Sequence, residues 1–338
     1  MRSPRFVIVL FLLLLGCAAA GFGAKLRQVA MIDLPGDPGF DQVAVANGQV
    51  VITRPATNTI EIFSPVKRRV IARISHISNP RGLAVDDPGQ RLYVALAGSS
   101  HIAVINSKTW QVEKMLRVAH RPVKLLWVPE TKTLYATSQL DRCVSIVDPE
   151  RGEETTIELK ALPEDMIYDS ARQALLVSLQ DVAEVAAIDG SHEVTGHFKL
   201  VASAPTGLAL DSAHRRLYVA VRYAVVVLDA DTGTEILRIP APGGTNALVL
   251  DPGGKLLYAA TGDGSVLAID LTRNVVDHEL PTDVKGYTLA YEPGHKMLYM
   301  PGGREGRSKM LILSPVIGDA NATQSAQNAP AKEPTTNK

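Results

Sequence analysis

Seven times along this chain a short apolar run ends in a turn and is followed by a Leu-Tyr-like pair and a second apolar run, and that period restricts the available folds. The anchors of the second run are Val50, Leu92, Leu134, Leu175, Leu217, Leu257 and Leu298, spaced 40 to 42 residues apart. A polar residue closing the third run of each unit keeps the same phase: Ser64, Asn106, Asp148, Asp189, Asp229, Asp270 and Ser314. Several short strands in a unit of about 40 residues read as propeller blades, because such a unit can bury its faces only against neighbouring copies.

One unit shows the strand content plainly. Gly82 to Asp86, Leu92 to Leu96, Ile102 to Ile105 and Gln111 to Leu116 are runs of strand length, rich in β-branched residues and separated by Gly, Pro, Asp and Asn. Runs such as Val225-Val226-Val227-Leu228 are apolar on both faces, as strands covered from both sides require. The prediction is an all-β, seven-bladed β-propeller of four-stranded antiparallel blades. The seventh unit stops after its third strand, Met310 to Leu313, whereas Leu26 to Asp33 precedes the first unit without a partner. Pairing the two closes the ring and removes two open sheet edges. Asn47-Gly48 signals a two-residue hairpin in the first unit.

The repeats fill residues 41 to 316 of the 338 without a break, so one ring domain spanning 25–318 is expected. Residues 1–24 read as an export signal: Arg2 and Arg5, an apolar stretch from Phe6 to Phe22, then small residues. Leu14-Leu15-Gly16-Cys17 resembles a lipobox that would lipidate Cys17; cleavage after Ala18-Ala19-Ala20 and an uncleaved anchor are the alternatives. All three place the ring outside the cytoplasm, in the periplasm or at the cell surface, with membrane contact only through the N-terminus. Residues 319–338 have no large apolar side chain and are expected to be a disordered tail. Cys143, the other cysteine, opens an apolar run and reads as a small buried hydrophobe. Zero net charge argues against nucleic-acid binding, and a monomer is expected.

The units Arg91-Leu92-Tyr93-Val94-Ala95 through Ile102 to Asn106, and Leu134-Tyr135-Ala136-Thr137 through Val144 to Asp148, resemble the YVTN β-propeller repeat. The resemblance covers nearly the whole ring and implies an exported, YncE-like propeller; it departs in the fourth unit, where Leu175-Leu176 replaces the aromatic form. It carries an architecture and no chemistry. Gly-His and Trp-Asp signatures of WD40 repeats are missing, as is the Cys-x-x-Cys-His of covalent haem, so no cofactor is expected.

With the first strand of each unit innermost, one face gathers the segments before that strand and the loops between the second and third strands. Loops on a rigid ring are where binding residues concentrate. Candidates at this channel mouth are Arg81, His120, Lys124, Asp165, Arg222, Asp263, Tyr287, Arg304 and Arg307. Basic residues crowd units two and three, and Glu164, Asp165, Asp181 and Glu184 crowd unit four, a polarity that would orient a charged partner. Gly302 to Lys309 reads as an enlarged, mobile loop whose Arg304 and Arg307 suit carboxylate or phosphate groups. His76, His101 and His120 map to the same face, but no metal-ligand spacing accompanies them and no metal is expected. Asp86, Asp169, Asp211 and Asp251 recur at one repeat position, as turn-forming residues do.

The expected function is a binding or scaffold module that takes a protein or a small anionic ligand at the channel mouth. Two alternatives belong to other classes. A lactonase-like hydrolase would use His120 with Arg81 or Lys124, and an accessory subunit of a periplasmic redox enzyme would do no chemistry of its own.

Overall fold

The computed structural model describes residues 23–317, so residues 1–22 of the expected export signal, with Cys17, and the expected tail lie outside the described residues. Seven four-stranded antiparallel sheets form the ring. Blade one is β2 (Val43–Ala46), β3 (Gln49–Arg54), β4 (Thr59–Ser64) and β5 (Arg69–Ile74); blade two is β6 (Pro80–Asp86), β7 (Arg91–Leu96), β8 (His101–Asn106) and β9 (Val112–Arg117). Blade three is β10 (Pro122–Val128), β11 (Thr133–Ser138), β12 (Cys143–Asp148) and β13 (Glu153–Glu158); blade four is β14 (Pro163–Asp169), β15 (Ala174–Leu179), β16 (Glu184–Ile188) and β17 (Val194–Lys199). Blade five is β18 (Leu208–Asp211), β19 (Arg216–Val221), β20 (Ala224–Asp229) and β21 (Glu235–Pro240); blade six is β22 (Thr245–Leu250), β23 (Leu256–Thr261), β24 (Ser265–Asp270) and β25 (Val275–Pro281). Blade seven is β26 (Ala290–Glu292), β27 (Met297–Arg304) and β28 (Arg307–Ile317), completed by β1 (Ala24–Asp33).

Burial follows the radial position of each strand. First strands of adjacent blades pack on one another around the axis, as β6 does on β10. Second and third strands such as β3 and β20 are buried along nearly their whole length, while the outer β5 alternates exposed and half-buried residues. Each blade therefore shares its core with its neighbours: Phe63 of blade one packs with Tyr299 and Met310 of blade seven.

The recurring polar marker has a physical role. A side-chain oxygen of Asn106, Asp148, Asp189, Asp229 or Asp270 accepts backbone N–H bonds from the turn that follows, as when Asp148 Oδ1 takes those of Glu150 and Arg151 at 2.8 and 3.1 Å. Ser314 breaks the pattern because no fourth strand follows it; it lies inside β28, opposite Arg27. The inner-strand acids form turns too, Asp211 accepting from Ala213 and His214 and Asp251 from Gly253.

Closure occurs as the unpaired segment predicted. β1 pairs antiparallel with β28 from Ala24↔Ile317 to Asp33↔Lys309, with one bulge at Val29. The strap from Leu34 to Gln42 then crosses to blade one, where Arg54 holds it. Arg54 is only 2% exposed and donates to the carbonyls of Pro35 and Asp37, to Ser308 Oγ at 3.2 Å and to Glu61 Oε1 at 3.0 Å, with its guanidinium over the Phe40 ring. Asn47 and Gly48 both take positive φ, as the predicted hairpin demands.

Two consequences bear on the mouth. Gly302 to Lys309 is strand rather than a mobile loop: Gly302↔Lys309, Gly303↔Ser308 and Arg304↔Arg307 pair, leaving only Glu305-Gly306 at the tip. The extra residues therefore lengthen a hairpin. Because β28 runs away from that tip and β1 returns alongside it, both ends of the described chain leave from the face opposite the mouth.

Candidate functional site

The mouth is built by a repeated irregularity in the innermost strands. Pairing with the second strand breaks between Pro80 and Leu83, Pro122 and Leu125, Pro163 and Met166, and Thr245 and Leu248. Bulges of this kind re-aim side chains. The two residues inside each break are Arg81-Gly82, Val123-Lys124, Glu164-Asp165 and Asn246-Ala247, and Asp41-Gln42, Thr206-Gly207 and Tyr287-Thr288 occupy the matching positions of the other blades.

Many of these residues also latch one blade to the next. Leu83 N–H donates to Gln42 Oε1 at 2.8 Å, Leu208 N–H to Asp165 Oδ2 at 3.0 Å, and Val43 N–H to Thr288 Oγ1 at 3.2 Å. Gly207 sits so close to blade six that an added Cβ would lie 2.1 Å from the Asn246 carbonyl oxygen, so only glycine fits.

The latches ring a cavity of about 90 Å³ on the axis, lined by Asp41, Lys124, Glu164, Asp165, Asn246 and Tyr287, among others. Arg81 ion-pairs with Asp41 at 2.7 Å, and Gln139 Nε2 donates to Glu164 at 2.7 Å. Burial raises the pKa of Asp41 against the opposing charges of Lys124 and Arg81. It raises that of Glu164 as well, with Asp165 and Asp41 adding to the effect and Lys124 opposing it. The Tyr287 hydroxyl donates to the Phe40 carbonyl at 2.6 Å, and burial pushes it up to about 12.

Lys124, Asp165 and Tyr287 are thus brought together, with Arg81 joined to them through Asp41, and the other predicted residues are not part of this cavity. His120 lines a separate cleft between blades two and three and faces Asp141, Nδ1 to Oδ2 2.9 Å. The juxtaposition of His120 with Arg81 or Lys124 that a hydrolase would use is not formed around the axis. Arg222 and Asp263 are exposed on the loops of blades five and six. Arg304 pairs with Asp283 at 3.1 Å, while Arg307 is exposed beside it. Cys143 is buried in the described structure, and burial, with Asp141 adding, pushes its thiol up to about 11, far from a reactive thiolate. Among the described residues no group of three or more His, Cys, Asp and Glu side chains is arranged to hold a metal ion.

Sequence reasoning missed two features. Asp41, at the end of the strap, completes the axial cavity. The second is an apolar sector on the mouth face: Leu140 is 64% exposed, Val182 47%, Val201 88% and Tyr223 67%. These four lie on mouth-side connections of three consecutive blades, and the Arg142–Asp181 ion pair at 2.9 Å ties two of those loops together. Other large exposed apolar residues, such as Ile71, Ile236 and Val275, stand on outer strands of separate blades.

No protein-family profile matches this chain, and no curated protein matches it. A solved structure described as Kuenenia stuttgartiensis hydrazine synthase is similar to it with a TM-score of 0.72 and 16% sequence identity, over 85% of this chain and 98% of the other. At that identity the similarity is one of fold.

Proposed function

We propose that this protein is an exported propeller of the YVTN, YncE-like kind that docks a protein partner on its channel-mouth face. The observation that carries the reading is the sector Leu140, Val182, Val201 and Tyr223. Scattered surface apolar residues need no explanation, whereas several gathered on one face and flanked by charges have the composition of an interface core with a polar rim. Its position supports the same reading. The chain enters and leaves the ring on the opposite face, so a protein held to a membrane through Cys17 or an uncleaved apolar N-terminus would present the mouth away from the bilayer.

A small anion is a weaker fit than a protein, since Arg304 is paired with Asp283 and Arg81 with Asp41. A second reading, a propeller serving within a larger enzyme, is favoured by the fold shared with a chain named as a synthase. Both readings require a protein on the ring. Replacing Leu140, Val201 and Tyr223 by serine should abolish copurification of a specific partner from cells that make the protein, with thermal stability unchanged. A partner retained at wild-type yield would refute the assignment of this face.

A further inference from the structure

The face opposite the mouth is divided in charge. On the turns of blades six, seven and one the exposed side chains include Lys255, Lys296, Lys67, Arg68 and Arg69, with Lys25 beside them at the start of β1. The acids of this sector are turned inward. Asp251 accepts the backbone N–H groups of Gly253, Lys255 and Leu256, Asp270 those of Thr272 and Arg273, and Glu292 those of Gly294 and His295. Asp277 receives the Arg273 guanidinium and the N–H of Ala24. Among the described residues the ion pairs of these turns involve Arg273 and His295 and leave the six cations unpaired. Blades two to five differ, for exposed Asp87, Glu130, Glu150 and Asp231 stand on their share of the same face.

Two further observations say what this sector meets. Val66, 77% exposed, stands on the blade-one turn directly before Lys67-Arg68-Arg69, an apolar side chain among unpaired cations. Strand β1 also starts here, in blade seven between blades six and one, and the apolar run Phe6 to Phe22 precedes it in sequence. With that run held in a bilayer, Gly23 alone would separate it from β1; with Cys17 lipidated, the seven steps to Ala24 would span at most about 25 Å. Attraction to a charged membrane fades within about 8 Å at physiological salt, so only the face from which the tether leaves can use it. A single acyl chain holds a protein only marginally, and a basic patch is one form of the second attachment it needs.

We propose that this basic sector rests on an anionic lipid bilayer, its Lys and Arg side chains among the headgroup phosphates and Val66 at the interface, with the mouth turned outward. The inference rests on the export and anchoring part of the reading above and not on the docking face.

The test places a polarity-sensitive fluorescent amino acid at Val66, or at the exposed mouth residue Arg222, in the full chain purified from cells that export it. Each protein is mixed with vesicles of phosphatidylcholine, alone or with phosphatidylglycerol. The Val66 probe should shift to the blue on phosphatidylglycerol vesicles and lose the shift in high salt, while phosphatidylcholine vesicles and the Arg222 probe should give none. A basic residue near an anionic surface contributes about fivefold in binding, so Lys67→Gln/Arg68→Asn/Arg69→Gln should weaken the contact about a hundredfold and remove the shift. Asn suits the positive φ of Arg68. Lys255→Gln/Lys296→Asn, on other turns of the sector, should reduce the shift, and Lys132→Asn in blade three should leave it intact. A Val66 probe unshifted by phosphatidylglycerol, shifted equally by phosphatidylcholine or by inorganic phosphate at matched ionic strength, or still shifted in the triple variant would overturn the proposal. Flotation of wild type with phosphatidylcholine vesicles reads the N-terminal anchor separately: without it the tether fails, and the probe still decides the sector.

Discussion

Arg54→Met probes the strap that closes the ring, and the structure sets the size of its effect. Methionine keeps much of the apolar stem of arginine and removes the guanidinium. Glu61, fully buried, would then keep only Arg73 at 2.6 Å, a partner 43% exposed, and the carbonyls of Pro35 and Asp37 would lose their charged donor. Breaking one side of a buried ion pair costs about 3–5 kcal/mol. At a few degrees per kcal/mol for a chain of this size, the unfolding midpoint should fall by roughly 5–15 °C. Arg54 Nε and Glu61 Oε2 are buried without hydrogen-bond partners, so the pair is no bargain relative to apolar residues. The double variant Arg54→Met/Glu61→Leu should therefore recover a large part of the loss. Thermal unfolding followed by circular dichroism reads wild type and both variants. A single variant within about 2 °C of wild type, or a double variant as unstable as the single, would refute an energetic role for the clamp.

Burial holds Glu164 above its usual value of 4.5, so the folded ring binds that proton more tightly than the unfolded chain does. Its contribution to stability is lost as pH rises through the raised value, and Glu164→Gln should gain on wild type in thermal midpoint between pH 4 and pH 8; a difference independent of pH would contradict this. Gly207→Ala should cost about 1–3 kcal/mol in urea unfolding, because its Cβ would meet the Asn246 carbonyl oxygen at 2.1 Å. If Cys17 is lipidated, Cys17→Ala should move the protein from the membrane to the soluble fraction; wild type found wholly soluble would exclude that anchor.

The ring was legible because its information is periodic. Turn acids such as Asp148 and Asp229 sit at fixed offsets from apolar runs, and the unpartnered β1 segment left one place for closure. Bulged positions were legible only as loop charges, since a one-residue slip in pairing at Val123-Lys124 leaves no trace in composition. Asp41 was missed because the strap that carries it is tied to blade one only by contacts made in the folded ring, and the burial of Arg54 has no sequence signature, since it depends on that strap covering it. Gly302 to Lys309 was misread because a glycine-rich stretch can pair as strand once β1 covers its partner. Leu140 and Val182 carried a readable signal: each is a large apolar residue within a mouth-side connection that blade two fills with Ala97, Gly98, Ser99 and Ser100.

Site-specific photo-crosslinking tests the docking face most directly. A photoreactive residue placed at Leu140, Val201 or Tyr223 should trap one and the same protein in living cells, while Val66 on the opposite face and Ile236 on an outer strand should not trap it. Capture of that protein from Val66 or Ile236, with none from the three mouth positions, would contradict the account.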